Sequence, residues 1–335
     1  MRGKKGNITL LASNSLANSQ PITSAQDLHI TTHSLQNTTR LAASRNLQIT
    51  TQNLTNAGEI TGGQGHNTIQ AQDHIYNNHL IASAQGLHIQ AKVLANNAQL
   101  TANQALAITT QALTNKGHIT GGPGTTTLQV THQLENQNTI TSAQDLSLQA
   151  RTLKNQGQVA AMHNLQVRAH NLDNTGEIQG GPGQTTLKVQ EAMHNASTIT
   201  SQHDLSLEAT DLLKNDGKIA AAHDLKITAG TLQNSTDSEV AGGKGTTQVQ
   251  TQRDIANLGA IASEKDLHLA AAGRLDNTGM VQATKDLTIA ATHVRNHRGH
   301  AIFAGKNMTM QLASELYNDQ GEIFAQGHMT LQDRK

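Results

Sequence analysis

The chain has no cysteine and no tryptophan, and its 335 residues include only two Tyr and two Phe. The lack of cysteine excludes disulfides, thiolate metal sites and thiol catalysis, and it suits a chain exported unfolded and uncrosslinked. The shortage of aromatics removes the large anchors of an ordinary globular core, although a chain of this length would by default form two or three globular domains. Net charge is also lacking. The 24 basic and 24 acidic residues are scattered singly, so no electropositive stripe exists to hold a nucleic-acid backbone, and no nucleic-acid partner is expected. No segment approaches the roughly 20 apolar residues of a membrane span. The start, Met1-Arg2-Gly3-Lys4-Lys5, has the basic character of a signal peptide, but Thr9, Ser13 and Asn14 break the stretch from Ile8, so no signal peptide is expected in this chain.

What is present is Leu, Ile, Val and Ala set among Asn, Gln, Thr and Ser, a mixture that would be disordered without repetition. Repetition is the dominant feature. An apolar residue, any residue and then Asn recurs at Asn18, Asn37, Asn56, Asn77, Asn96, Asn115, Asn136, Asn155, Asn174, Asn195, Asn215, Asn234, Asn257, Asn277, Asn296 and Asn318, at spacings of 19 to 23 residues. Counting from each Asn, an Ile, Val or Leu usually falls four residues on, a small residue six on, Leu ten on and Ile or Leu twelve on, as in Ile22, Ser24, Leu28 and Ile30. Steps of two mean strands with alternate residues inward, and nothing recurs at helical spacing. Three short strands per coil are expected, near 22 to 24, 28 to 32 and 35 to 37.

So short a set of strands cannot bury its inner face alone, so coils must stack with parallel strands about 4.8 Å apart, which for sixteen coils gives a rod of roughly 75 Å. The expected fold is therefore all-β, a right-handed parallel β-helix of about sixteen coils. It should form one continuous array over residues 1–335, and because the repeat runs to both ends, a fragment cut within that array. Asn at one fixed place per coil has two readings. It forms a ladder of side-chain amides, or it tolerates a left-handed turn conformation.

A longer period lies over the short one. Gly62-Gly63-Gln64-Gly65, Gly121-Gly122-Pro123-Gly124, Gly180-Gly181-Pro182-Gly183 and Gly242-Gly243-Lys244-Gly245 fall once every three coils, and two extra residues accompany them. Thr126 and Thr185 stand near the usual Leu place, and a small loop is expected to bulge at one corner of these coils.

This consensus resembles the haemagglutinin repeats of filamentous haemagglutinins. The likeness rests on the Asn, on the Gly two residues later (Gly58, Gly117, Gly157, Gly176, Gly217, Gly279) and on an Asp-Leu-x-Ile/Leu segment at Asp27, Asp145, Asp204, Asp224, Asp266 and Asp286. It covers nearly the whole chain. The resemblance implies a large exoprotein of a Gram-negative bacterium, secreted or held at the outer surface and exported through an outer-membrane two-partner secretion transporter. It also implies an adhesin or the stalk of a contact-dependent growth inhibition toxin, with a host or neighbouring-cell receptor or glycan as possible ligand. These residues contain nothing that resembles the family's secretion domain or a toxin module.

Other chemistry is weaker. The Gly-Gly-x-Gly corners lack the Asp and tandem spacing of calcium-binding nonapeptides, and no helix follows to receive a phosphate, so they are read as structural. Of 18 His, His29, His88 and His268 lie between inward residues and face solvent, while His203 and His223 hold equivalent places about 5 Å apart in adjacent coils, each followed by an Asp (Asp204, Asp224). That cluster lacks the closed tetrahedral pattern of a zinc site. A polysaccharide-degrading β-helix would need acidic pairs and usually aromatic platforms, whereas Tyr76, Tyr317, Phe303 and Phe324 are isolated. No catalytic, cofactor-binding or metal residue is therefore assigned, no cofactor is expected, and the sixteen Asn are assigned a structural role. The expected function is a non-enzymatic stalk, with direct adhesion through a solenoid face as the alternative.

Overall fold

The computed structural model describes residues 2, 3 and 6–333, and of Arg2 and Gly3 only the backbone; the rest of the basic start lies outside the described residues. Strands and turns account for all of it, with no helix among the described residues. The chain divides into two compact units, Met1–Leu165 and Gln166–Lys335.

In the first unit each coil has a short strand, a turn and a long strand, as in Ile22–Ser24 followed by Leu28–Asn37. Short strands pair in parallel with the short strands of the next coil, like residue over like: Ile22 with Leu41, Leu100 with Ile119, Ile119 with Ile140, Ile140 with Val159. Long strands do the same, Leu28 against Leu47 and Leu87 against Leu106. The inner columns are therefore continuous aliphatic stacks. In the coil that follows Asn96, the side chains of Leu100, Leu106, Ile108 and Leu113 are essentially shut off from solvent. Each contributes about 1.5–3 kcal/mol by burial, and none could be buried without the coils on either side.

The second and third inward runs belong to one bent strand rather than two. Along Leu28–Asn37 the buried places are 28, 30, 32, 35 and 37, so alternation slips by one residue at the bend near His33 and Ser34. Backbone pairing lapses at the bend and resumes just past it, Thr32 with Thr51 and then Ser34 with Asn53, and a hydroxyl bridges the gap where the last inward residue is Thr: Thr51 Oγ1 donates to Asn53 O at 2.9 Å and Thr110 Oγ1 to Ala112 O at 3.0 Å. The second unit follows the same plan, Asn215 over Asn195 and Asn234 over Asn215. Three of its coils do break into separate strands at the bend, for example Thr246–Thr251 and Ile255–Asn257.

The two extra residues of the Gly-rich coils are not placed as one bulge at one corner. In the coil after Asn56, Thr61 pairs with Ala42, Asn67 with Leu47 and His74 with Asn53, so the offset between partners grows by one at the Gly corner and by one again at the strand bend. Each corner thus absorbs a single irregularity, and every inward column keeps its register. After Asn234 and Asn296 further extra residues make a turn marked by positive φ at Asp237 (61°) and Gly299 (79°); in the coil after Asn234 the Gly corner and the bend still add one each, as Lys218 pairs with Glu239, Leu225 with Thr247 and Leu232 with Ile255.

Candidate functional site: the asparagine column and the corners

Fifteen of the sixteen Asn are buried, Asn18 to Asn296, while Asn318 is exposed. In the first unit Nδ2 of each donates to Oδ1 of its counterpart one coil on, at 2.7–2.9 Å, in an unbroken run from Asn18 to Asn155. In the second unit the run goes from Asn174 to Asn318 at 2.8–2.9 Å. All these bonds point the same way along the chain. The left-handed reading finds no support, because positive φ among the described residues occurs only at Asp237, Gly299 and Gln320.

Each amide does more than bond its copy. Asn96 Nδ2 also donates to Ala98 O and His118 O, both at 3.1 Å, tying the end of one long strand to the turn that follows it and to the short strand of the next coil. The chain must turn sharply here, and the Gly two residues later permits it. A Cβ on Gly58 would lie 2.0 Å from Thr39 O, and one on Gly117 would lie 2.0 Å from Ala98 O, so the backbones of adjacent coils approach too closely for any side chain.

The Asp of the Asp-Leu segment forms a second column on the opposite corner. Asp204 Oδ1 accepts the N–H of Asp224 at 3.0 Å, Asp224 Oδ1 that of Thr246 at 2.6 Å, and Asp266 Oδ1 that of Asp286 at 3.2 Å. Asn serves equally: Asp27 Oδ1 accepts from Asn46 N at 3.1 Å, and Asn46 Oδ1 from His66 N at 2.7 Å. These side chains cap turn N–H groups of the following coil, which satisfies donors that the strands leave unpaired.

At the Gly-rich corners the polar residue at the Leu place is buried and bonded to a Ser one coil on. Thr126 Oγ1 donates to Ser142 Oγ at 3.0 Å, Thr247 Oγ1 to Ser263 Oγ at 3.0 Å, Asn67 Nδ2 to Ser83 Oγ at 2.7 Å, and Thr185 and Ser201 hydroxyls lie 2.9 Å apart. The first Gly of each motif makes room for that side chain, since a Cβ on Gly121 would stand 1.7 Å from Thr126 Oγ1 and one on Gly180 equally close to Thr185 Oγ1. Neither phosphate nor calcium chemistry is needed to account for these glycines. The spacing alone did not reveal these buried polar nodes; the signal was Thr or Asn at a Leu place together with Ser at the small place of the next coil.

His88 and His268 are exposed and His29 is half-buried on the outer face. The rings of His203 and His223 stack at 4.8 Å with 18° between planes, and both Nδ1 atoms lie 3.0 Å from Asp204 Oδ1. Asp224 is drawn away to its own cap and stands 3.5 Å from His223 Nδ1. Elsewhere His194 sits between Asp173 (2.9 Å) and Asp216 (2.8 Å) on successive coils. Asp216 also accepts from Lys214 and from Ser235. The Lys214 ammonium first, then Ser235 and His194, hold its carboxyl far below the usual carboxylate range. The aromatics are not all isolated: Phe303 and Phe324 hold equivalent places in adjacent coils, and their rings stack at 5.8 Å.

Together these features define a repeat protein in which each coil is sealed by aliphatic columns inside and by amide and carboxylate columns at its corners. The haemagglutinin repeat model matches residues 5–79, 82–150, 147–209 and 180–333, and the chain belongs to that family. No curated protein and no solved structure matches the chain. No helix among the described residues is long and apolar enough to cross a membrane.

Proposed function

We propose that this chain is a non-enzymatic stalk segment of a secreted or cell-surface exoprotein, a spacer that presents a binding or toxin module carried elsewhere in the full protein. The observation that carries this reading is the uniformity of the coils. Inward places are filled by stacked aliphatics and amides, and the polar side chains at the corners, Asp27, Asp204 and Asp266 among them, are already engaged by backbone N–H groups of the next coil. Such groups hold the stack together rather than converge on a substrate. Family membership supports an adhesin-type setting at the outer surface of a Gram-negative bacterium, with an outer-membrane two-partner secretion transporter as export partner. The repeat in the sequence continues without interruption from Asn155 to Asn174, which supports a single spacer running through both units.

Direct adhesion is the second reading. It is favoured by a groove on the first unit in which His29, Gln48, His66 and Thr68 present polar groups that suit sugar hydroxyls. A glycan array and a cell-binding assay with the purified chain separate the two. The spacer shows no saturable binding and no polysaccharide turnover. Saturable binding that is lost on changing His29 and Gln48 would transfer the role to the groove, and turnover abolished by a single Asp substitution would make the protein an enzyme.

A further inference from the structure

We propose that His203, Asp204 and His223 form a surface site for one first-row divalent transition metal ion of the zinc, cobalt or nickel kind. Both imidazoles ligate through Nδ1 and the carboxylate through Oδ1. Among the described residues this is the one group of His, Asp and Glu side chains whose ligand atoms converge, all lying within 4.8 Å of one another. Two nitrogens already stand 3.0 Å from the same carboxylate oxygen. Donors bound at about 2.0–2.2 Å to one ion sit roughly 3–3.5 Å apart, so the nitrogen–oxygen separations already suit binding, while the two rings, stacked with 18° between planes, must tilt so that both Nδ1 lone pairs meet at one point.

The fold prepares this arrangement. The two His hold equivalent places on successive coils, with His223 N donating to His203 O at 3.1 Å, so the coil rise itself sets the ring stacking. The ligating oxygen itself, Asp204 Oδ1, also accepts the N–H of Asp224 at 3.0 Å, which fixes where the carboxylate stands relative to the two rings. The neighbouring places in the column are Gly. Gly183 precedes Gln184, which pairs with Asp204, and Gly245 N donates to His223 O at 3.2 Å. Neither of these two flanking places carries a side chain, and the one further carboxylate nearby, Asp224, stands 3.5 Å from His223 Nδ1, which leaves room for water at the remaining coordination positions. Two imidazoles and one carboxylate suit zinc, cobalt or nickel, whereas calcium and magnesium favour all-oxygen sets. The other His–Asp contacts, His163 with Asp145, His297 with Asp276 and His194 between two Asp, each offer a single imidazole.

The test is calorimetric titration of the purified chain with zinc chloride, with cobalt absorption as a second readout of nitrogen ligation. One saturable site per chain is expected. The His203→Ala/His223→Ala double variant should weaken binding at least tenfold, each single variant should also weaken it, and His163→Ala should leave it unchanged. Both rings are substantially solvent-exposed, so circular dichroism should show the variants folded. Absence of saturable binding, equal affinity in the double variant, or dependence on only one of the two His would overturn the shared site.

Discussion

Replacing Asn96 by Ala tests the amide column at a place where the structure allows the cost to be worked out. Asn96 is fully buried; its Oδ1 accepts from Asn77 at 2.7 Å and its Nδ2 donates to Asn115 Oδ1 at 2.8 Å. Without it, Asn77 Nδ2 still reaches Gln99 O at 2.9 Å, and Ala98 O still accepts His118 N at 2.7 Å. Asn115 Oδ1 loses the donor from the preceding coil and is left buried without it. Two side-chain bonds at about 1 kcal/mol each and one stranded acceptor at about 1–3 kcal/mol give a loss of about 3–5 kcal/mol. The neighbouring Asn97→Ala is the control. Asn97 also donates to an equivalent Asn, Asn78 at 2.7 Å, but that pair is exposed, so its loss should stay within about 0.5 kcal/mol. Denaturant unfolding followed by circular dichroism reads both. Equal midpoints for the two variants would refute the claim that burial, rather than the bond itself, gives the column its weight.

Gly117→Ala should destabilise by more than about 2 kcal/mol in the same assay, because its Cβ would lie 2.0 Å from a backbone oxygen that cannot turn aside. Gly121→Ala should cost about 1–3 kcal/mol through collision with Thr126. Adding Thr126→Leu should recover at least about 1 kcal/mol, since Ala102 and Leu106 fill the same two places one coil earlier; additive losses would argue against the node. Asp216 is held ionised by Lys214, Ser235 and His194, so its folded pKa is depressed. The stability it contributes is present above about pH 4 and is lost as the pH falls below that. Thermal midpoints of the parent should therefore drop more steeply between about pH 4 and pH 2 than those of Asp216→Asn, and parallel curves would dismiss the contribution.

The coil period, the inward columns and the stacking direction were legible because each rests on spacing: Leu28 over Leu47 follows from the count alone. Corner chemistry was less legible. The Asp-Leu segment was visible as a pattern, but that Asp204 caps the N–H of Asp224 depends on side-chain direction, which spacing does not set. The total length of an inserted coil likewise cannot tell one bulge of two residues from two of one, and only the register of Thr61, Asn67 and His74 separates them. The bend near His33 escaped division into strands because main-chain pairing resumes just past the slip in side-chain phase. The pairing of Phe303 with Phe324 was there to be found, since the two stand a single coil apart in the count.

The buried polar groups answer a problem that aliphatic columns alone leave open. Shifting one coil by two residues would still put Ile30 over Leu47 and keep apolar surface covered, so Leu and Ile stacking specifies the register weakly. It would also push a buried amide such as Asn37 out of line with Asn56, leaving each without its 2.8 Å partner at a cost of several kcal/mol. The amides therefore penalise slips within a coil, but they are blind to a slip by a whole coil, which lays Asn over Asn again. The nodes are not blind to it: Thr126 needs Gly121 beneath it and Ser142 ahead of it, a combination that returns only every third coil. Two periods in the sequence thus guard against two different errors. If so, erasing the Thr126 and Thr185 nodes should leave stability nearly unchanged while making amide hydrogen exchange heterogeneous; a single uniform exchange pattern would show that aliphatic packing is enough.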